Sequence, residues 1–426
     1  TTDYSWCHKK NKSQKNSPKR RGIMVIKDSV PSAPDSPRCV TIPTTMSYMP
    51  DAILPPERNR EANSTHRLSR LDVQRASTDI KRFVEARLEK DFNLVKHTTP
   101  QAFTTNTGVN DDLDGTKSKK AVYFTVPNRD VPRGITIDPD KMKERSPYEL
   151  ECEVVQSLAK WKRLMLDRLG CDVGEGIYCD SISIRKGYKG DVTHSIVADQ
   201  WDFEVRINEE DRTAETLKQY VTKVWKIVTD CEDYILEKYP DILLEGHPTA
   251  TSRLPKKLTF ITSEELHEMF PTLGVHERET AAVKWFGAIF IIGMGWPMAD
   301  GTPAEEVRSP GYDDWRLNGD IIVEHPLTQY RHELMSTGIR VNSESLRAQL
   351  AHRGMSEQAE LPFMKAVLED RLPFCFGGGI GISRLLMLLL RTCHIGEVQC
   401  GVWHDGHYKQ AAAAGIDLIP DRIVDV

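Results

Sequence analysis

The sequence predicts an α+β fold built on a mainly antiparallel β-sheet flanked by helices. Strand-like runs such as SISIR (181–185) and WDFEV (201–205) are joined by polar, Gly-containing segments of hairpin character. Connections of this kind outnumber the crossover helices that a parallel sheet requires. Segments of helical periodicity alternate with the strands and supply the covering layers.

Taken in order, residues 1–65 are rich in Lys, Ser, Pro, Asn and Thr and lack periodicity, which predicts a disordered tail. The remainder, 66–426, is expected to form a single folded body. The sequence begins with Thr rather than Met, so an organelle-targeting role for its basic start stays open. An opening helix is predicted from Leu71 to Phe92, where Leu71, Ile80, Phe83, Val84 and Leu88 recur at helical spacing. A second helix is expected to start at Ser146 as N-cap, with Pro147 first and Glu149 closing a capping box, and to run past Val154, Leu158, Trp161 and Met165 to Gly170. The hairpin over 181–205 follows, then a long helix at Ala214–Lys238. KWFGAIFIIGMG, GDIIVEHP and a glycine-rich turn before Ser383 complete the alternation, and no internal repeat is present.

Composition excludes several classes. The longest apolar runs, 286–293 and 385–390, fall short of the roughly 20 residues that span a bilayer. Residues 1–21 hold seven Lys or Arg and one acid, so the rest carries −11 against an overall −5. An acidic body disfavours nonspecific nucleic-acid binding, and a tRNA partner is not expected. The nine cysteines contain no CxxC pair and read as reduced thiols of a cytoplasmic protein.

The strongest chemical signal is FGGGIGISRLLMLLL (376–390). Glycines let backbone approach a flat ligand, and Arg384 opens an apolar helix beside them. Gly379 and Gly381 match two positions of a dinucleotide fingerprint, but Ser383 and Arg384 break it and too little chain follows to build that domain. A tight strand-to-helix corner is the structural alternative. Arg384 and Arg185, the latter closing SISIR, both suit a phosphate, although Arg185 alone also reads as a solvated strand end. Acids gather in Tyr312-Asp313-Asp314-Trp315, in Asn318-Gly319-Asp320 and at Glu333. Two carboxylates on adjacent strands suit magnesium, while NGD also reads as an ordinary turn. Lys160 lies on a half-buried helix face where a lysine also simply snorkels, and Lys162 and Arg163 read as that helix's solvated side.

These segments together resemble the ammonia-dependent (A-type) asparagine synthetases, relatives of the class II aminoacyl-tRNA synthetase catalytic domain. The resemblance spans Gln74 to about Trp403 through VVQSLAKWKR (154–163), GEGIY (174–178), ADQWDFE (198–204), VRSPGYDDW (307–315), LNGDIIV (317–323), HELMSTGIRV (332–341), GGGIGISRLLMLLL and HIGEVQCGVW (394–403). It implies a class II synthetase-like sheet, a homodimer, and conversion of L-aspartate, ATP and ammonia to asparagine, AMP and pyrophosphate. By the same resemblance Arg185 grips the α-phosphate, Arg384 meets the nucleotide, and Arg308, Gly378, Gly379 and Gly381 complete the ATP site. Asp320 and Glu333 correspond to a magnesium pair. Asp111, Asp202 and Asp314 surround the substrate ammonium group, with Lys160, Gln200 and Arg340 as carboxylate-side and orienting partners.

The sequence departs from the family pattern in a shorter stretch from Tyr312 to Asp320, a longer one over 116–146, and Asp112 and Asp114 where Asn and Ser stand beside the Asp111 equivalent. A tRNA synthetase would need an anticodon module, for which there is no room between the tail and Leu71. A noncatalytic paralogue would be expected to lack Arg185, Asp320, Glu333 or Arg384.

Overall fold

The computed structural model describes residues 68–111, 121–127, 149–188, 190–243, 252–304 and 308–424. The expected tail, Ser146, Pro147, Asp112, Asp114 and most of 116–146 lie outside these residues.

Helix α1 (Arg70–Phe92) starts where Ser69 accepts from the Asp72 amide at 3.1 Å, and it buries Val73, Ala76, Ile80, Val84, Leu88 and Phe92 on one stripe. Leu71 lies off that stripe and is exposed. Strands β1 (Leu94–Lys96), β2 (Ala102–Thr104), β3 (Tyr123–Pro127) and β4 (Glu149–Val154) follow, and only then helix α2 (Ala159–Leu169).

The predicted second helix is therefore corrected over its first half. Glu149-Leu-Glu-Cys-Glu-Val154 alternates acid and apolar residues with period two, and it pairs with β2 and β3 in a small three-stranded sheet. Pairing on both edges outweighs a local capping signal. The predicted end is borne out, because Gly170 caps α2 in the left-handed region at φ 65°.

Strands β5 (Gly176–Ile184) and β6 (Val197–Arg206) form the expected hairpin, and α3 (Ala214–Lys238) the expected long helix. Next come β7 (Thr259–Thr262), α4 (Ser263–Met269), α5 (Val275–Phe286), β8 (Ala288–Ile292), β9 (Asp313–Glu324) and β10 (Arg331–Arg340). The chain ends on α6 (Ser343–His352), α7 (Pro362–Leu368), β11 (Cys375–Gly381), α8 (Ile382–Leu389) and α9 (Asp405–Ala413). Asn318-Gly319-Asp320 lies inside β9, so it is not a turn.

The main sheet runs β1-β5-β6-β11-β10-β9-β8-β7, antiparallel except at the outer pairs β1/β5 and β7/β8. Its two faces differ in chemistry. Trp201, Phe203 and Val205 of β6, Phe376 and Ile380 of β11, Ile339 of β10 and Ile321 and Val323 of β9 join one apolar core with α1, α3 and α8. Each such side chain contributes about 1.5–3 kcal/mol by leaving water. Gln200, Asp202 and Glu204 alternate with them and point to the other face.

The glycine-rich segment is corrected from a turn to a central strand, β11, which lies between β6 and β10. A Cβ at Gly377 would sit 2.1 Å from Glu204 Oε2, and one at Gly379 would sit 3.0 Å from the Gln200 amide. Bare backbone here leaves room for the polar side chains of the neighbouring strand. No described helix is long and apolar enough to cross a membrane.

Beneath the sheet His325 is fully buried, with Nε2 3.3 Å from the Met387 carbonyl and Nδ1 facing the amides of Leu327 and Thr328. These partners require Nε2 to carry the proton and Nδ1 to accept, so the imidazole is neutral. Burial, and then His332 nearby, push its pKa well below the usual imidazole value. In the unfolded chain His325 takes a proton below pH about 6.5, whereas in the folded protein it does not. Stability should fall as pH drops from about 6.5, and His325→Asn should make that fall shallower in denaturant titrations at several pH values. An unchanged slope would remove His325 from the acid response.

Candidate active site

The polar face of the main sheet forms the floor of the site. Register aligns Asp202 with Gly379, Gly379 with Ser336 and Ser336 with Asp320 across β6, β11, β10 and β9. Directly opposed residues share a face, so Asp202 and Asp320 project to the same side with glycine and serine between them. Glu333 reaches that face because of a bulge. Three residue steps on β10, Glu333 to Ser336, oppose two on β9, Ile322 to Asp320. Without the extra residue Glu333 would point into the apolar core.

Arg185, at the end of β5, and Arg384, in the first turn of α8, line one cleft of about 160 Å³ together with Gln200, Glu333, Gly379 and Gly381. A larger cavity of about 360 Å³ between the start of α1 and the segment 415–420 contains none of the expected site residues, so chemistry rather than volume locates the site. Arg185 lies 5.7 Å from the Tyr188 ring, and its Nε is buried without a hydrogen-bond acceptor among the described residues. A guanidinium nitrogen left over in a cleft suits an anionic ligand oxygen. Arg384 Nη1 donates to the Glu333 carbonyl at 3.1 Å and lies 3.4 Å from Glu333 Oε1.

Burial would raise the Glu333 carboxyl, but Arg384 and then Arg331 hold it down at about 2. It is ionised at neutral pH. Asp320 forms a 2.8 Å ion pair with Arg308, which also donates to Ser336 Oγ at 3.2 Å. No cluster of three or more His, Cys, Asp or Glu suited to a metal occurs among the described residues. Two carboxylates without a third fit magnesium, which takes one or two carboxylates and fills its remaining positions with phosphate oxygens and water.

Helix α2 covers the floor, and here the predicted solvated side is corrected. Lys162 and Arg163 are buried. Lys162 Nζ donates to Asp202 Oδ1 at 3.0 Å, to the Phe203 carbonyl at 2.9 Å and to the Gly378 carbonyl at 3.1 Å. Arg163 donates to the carbonyls of Pro373 and Val341. The helix is wedged against the polar face of the sheet, so its cationic side has carboxylates and carbonyls in front of it rather than water. Lys160 is buried too, 2.7 Å from Asp111, which also accepts from Ser309 Oγ at 2.8 Å.

Several expected residues stand apart from the cleft. Arg340 spends its donors on Glu204, at 2.7 Å through both Nε and Nη2, and on Asp313 at 2.5 Å. Although burial alone would weaken the Arg340 cation, Glu204 and Asp313 raise its pKa well above the ordinary value. In turn Arg340 keeps the Glu204 carboxyl below its usual range despite burial. Burial pushes the Asp313 carboxyl up, with Arg340 and Arg308 pulling against it. Asp314 is paired with Arg212 at 2.9 Å.

Lys162, Glu204 and His194 carry much of the arrangement, whereas the sequence alone places Lys162 on a solvated face and assigns no role to the other two. Glu204 was legible in Gln200-Trp-Asp202-Phe-Glu204, whose period-two alternation puts three polar side chains on one face. Lys162 had no such signal. Residues two apart on a helix face different directions, and only the sandwiching of α2 buries both Lys160 and Lys162.

A protein-family model described as aspartate-ammonia ligase matches residues 71–415. The chain belongs to the aspartate–ammonia ligase family. It is 41% identical over 352 residues to an aspartate–ammonia ligase of Clostridium perfringens, covering 83% of this chain and 96% of that protein. It is likewise 41% identical over 334 residues to one of Bacillus cytotoxicus, covering 78% and 93% respectively. Among solved structures the fold is similar to asparaginyl-tRNA synthetase of Entamoeba histolytica bound to asparaginyl-adenylate, with TM-score 0.52 and 12% identity, covering 78% of this chain and 66% of that one. It is also similar to asparaginyl-tRNA synthetase of Pyrococcus horikoshii, with TM-score 0.52 and 14% identity, covering 80% and 70%. This aspartate–ammonia ligase family member therefore carries the class II synthetase catalytic fold expected from its sequence.

Replacing Arg340 with Met would leave Glu204 and Asp313 buried without their shared cation. Removing one partner of a buried ion pair costs about 3–5 kcal/mol. Arg340→Met should lose stability on that scale in chemical denaturation, and full stability in the variant would return Arg340 to the list of substrate contacts.

Proposed function

We propose that this chain makes L-asparagine from L-aspartate and ammonia at the expense of ATP, through a β-aspartyl adenylate, releasing AMP and pyrophosphate. The observation that carries this reading is one cleft in which Arg185 and Arg384 are gathered with the ionised Glu333 carboxylate and the bare backbone of Gly379 and Gly381, in a member of the aspartate–ammonia ligase family. The division into a leading tail over 1–65 and one catalytic body, a homodimeric assembly and a cytoplasmic location belong to the same proposal.

In the first step an oxygen of the aspartate side-chain carboxylate bonds to the α-phosphorus, and the bond from that phosphorus to pyrophosphate breaks. Two anions meet, so cations must be in place before they do. Arg185, with its spare Nε, is assigned to the α-phosphate. Arg384 is assigned to the nucleotide, where its planar guanidinium stacks and donates at once. Gly379 and Gly381 keep the floor low enough for the ligand to lie against backbone, whereas Gly378, opposite Phe203 on β6, faces the core side and is not part of that floor.

Asp320 and Glu333 would hold magnesium, which offsets charge on the phosphates. Arg308, paired with Asp320, keeps that carboxylate compensated. Gln200 and Asp202, neighbours on the β6 face, are assigned to the substrate amino acid, with Lys162 orienting Asp202. Asp111 and Lys160 close the site from the side of the loop that carries Ser309. Arg340 and Asp314 are assigned to holding the floor through their ion pairs. In the second step ammonia nitrogen bonds to the β-carbonyl carbon, the bond to the AMP oxygen breaks, AMP leaves, and one N–H proton is released to solvent to give the neutral amide. No protein nucleophile is needed, and the positioning of three reactants supplies much of the acceleration.

The test supplies purified protein with ATP, magnesium and L-aspartate, with ammonium, without it, and with glutamine instead. Ammonium-dependent asparagine matched by equal AMP is the expected result, and Arg384→Lys should reduce kcat/KM by about 100-fold or more. ADP in place of AMP would rule out the adenylate route, and aspartate or asparagine delivered to tRNA would transfer the chain to the synthetases.

A further inference from the structure

The connection between β5 and β6 bends over the cleft and brings His194 to Arg384. His194 Nε2 lies 2.7 Å from Arg384 Nη2, and its Nδ1 lies 2.9 Å from Asp191 Oδ2 and 3.0 Å from Asp191 Oδ1. A guanidinium only donates, so Nε2 must be the accepting nitrogen and Nδ1 must carry the proton that Asp191 receives. Asp191, His194 and Arg384 thus form a chain of donors and acceptors that runs in one direction. Burial, and then the Arg384 charge, push the His194 pKa down, which keeps the ring in the accepting form.

The ring is not needed to shape the connection. Asp191 Oδ1 accepts from the backbone amides of Thr193 and His194, each at 2.7 Å. The Asp191 amide donates to the His194 carbonyl at 2.9 Å, and the Arg185 amide to the Ile196 carbonyl at 2.7 Å. The segment is fastened by backbone bonds and by the Asp191 carboxylate, and the imidazole is left for another task. On its opposite edge the Arg384 guanidinium meets Glu333 of β10 through Nη1, so it is gripped from one strand and one connection.

We propose that His194 is a positioning residue for the nucleotide half of the reaction. Anchored on Asp191, it holds the Arg384 guanidinium in the orientation that receives ATP. A long arginine side chain otherwise loses rotamer freedom when the ligand arrives, and fixing it beforehand removes that cost from binding. Because Asp191 and Arg185 lie on the same connection, the two cleft arginines are also kept at a set separation.

This inference rests on the ATP-dependent reading of the cleft. The full-length protein and its His194→Ala, His194→Gln and His194→Asn variants are compared by titration with a nonhydrolysable ATP analogue, by KM for ATP and for aspartate, and by thermal midpoint. Loss of a hydrogen bond to a charged group predicts that the alanine variant binds the analogue about 10-fold or more weakly. Its aspartate KM should stay within about twofold and its thermal midpoint should match that of the unmodified protein. Gln can place an amide oxygen where Nε2 stands and should recover affinity to within about threefold, whereas Asn is too short and should not. Unchanged analogue binding in His194→Ala would overturn the proposal. So would equal losses in all three variants with a lowered thermal midpoint. If the unmodified protein made no asparagine, the ligase reading would fail while the analogue titration still decided the role of His194.

Discussion

A buried sheet face that carries carboxylates has to be neutralised from the same side, and most of the structure above the sheet follows from that requirement. Asp202 and Glu204 alternate with Trp201 and Phe203 on β6, so the side chains that complete the apolar core force their neighbours toward α2. Lys162 answers Asp202, lies 3.7 Å from Glu204, and donates to two strand carbonyls. Arg340 answers Glu204 and Asp313. An isolated charge in that position would cost several kcal/mol, whereas a compensated network keeps ionised groups in place without water.

Two backbone devices turn this face into a site. Glycines on β11 remove the side chains that would stand between Asp202 and Ser336, which leaves a flat floor. The bulge on β10 turns Glu333 from the core to the floor and leaves both Leu334 and Met335 in the apolar cluster. The carboxylate so exposed then meets Arg384, whose helix follows β11 directly. Asp199 at the start of β6 fastens that helix, accepting from the Ser383 amide at 3.2 Å and from Ser383 Oγ at 2.6 Å. The backbone position of Arg384 is therefore a consequence of strand register, while its guanidinium also meets His194 of the β5–β6 connection.

Much of this was legible in the sequence, and the failures share one cause. The α1 and α3 stripes and the β5–β6 hairpin follow from local periodicity, which a single chain segment displays in full. The helix expected from Ser146 failed over 149–154 because the partners of β4 lie far away at 102–104 and 123–127. The glycine segment read as a turn because nothing nearby reveals that β6 and β10 pair with it on both sides. Lys162 and Arg163 read as solvated because a helix shows the spacing of its charges but not the surface laid against it. Arg185, Glu333 and Arg384 were found by chemistry and Gln200 through the family resemblance, and the four are gathered in one cleft. Arg340 and Asp314 were found with them, and the structure engages both in ion pairs at the margin.

The sequence by itself determined the class of fold, the chemistry of the residues available and, through ordered motifs, the family. Those properties reside in residue type and short-range spacing. Tertiary structure alone decided which charges face one another. Lys160 meets Asp111, Lys162 meets Asp202, Arg340 meets Glu204, and Arg384 meets Glu333 and His194. Each of these pairs joins segments distant along the chain, and their meeting depends on strand order, one bulge and the seating of α2, which exist only once the sheet is assembled.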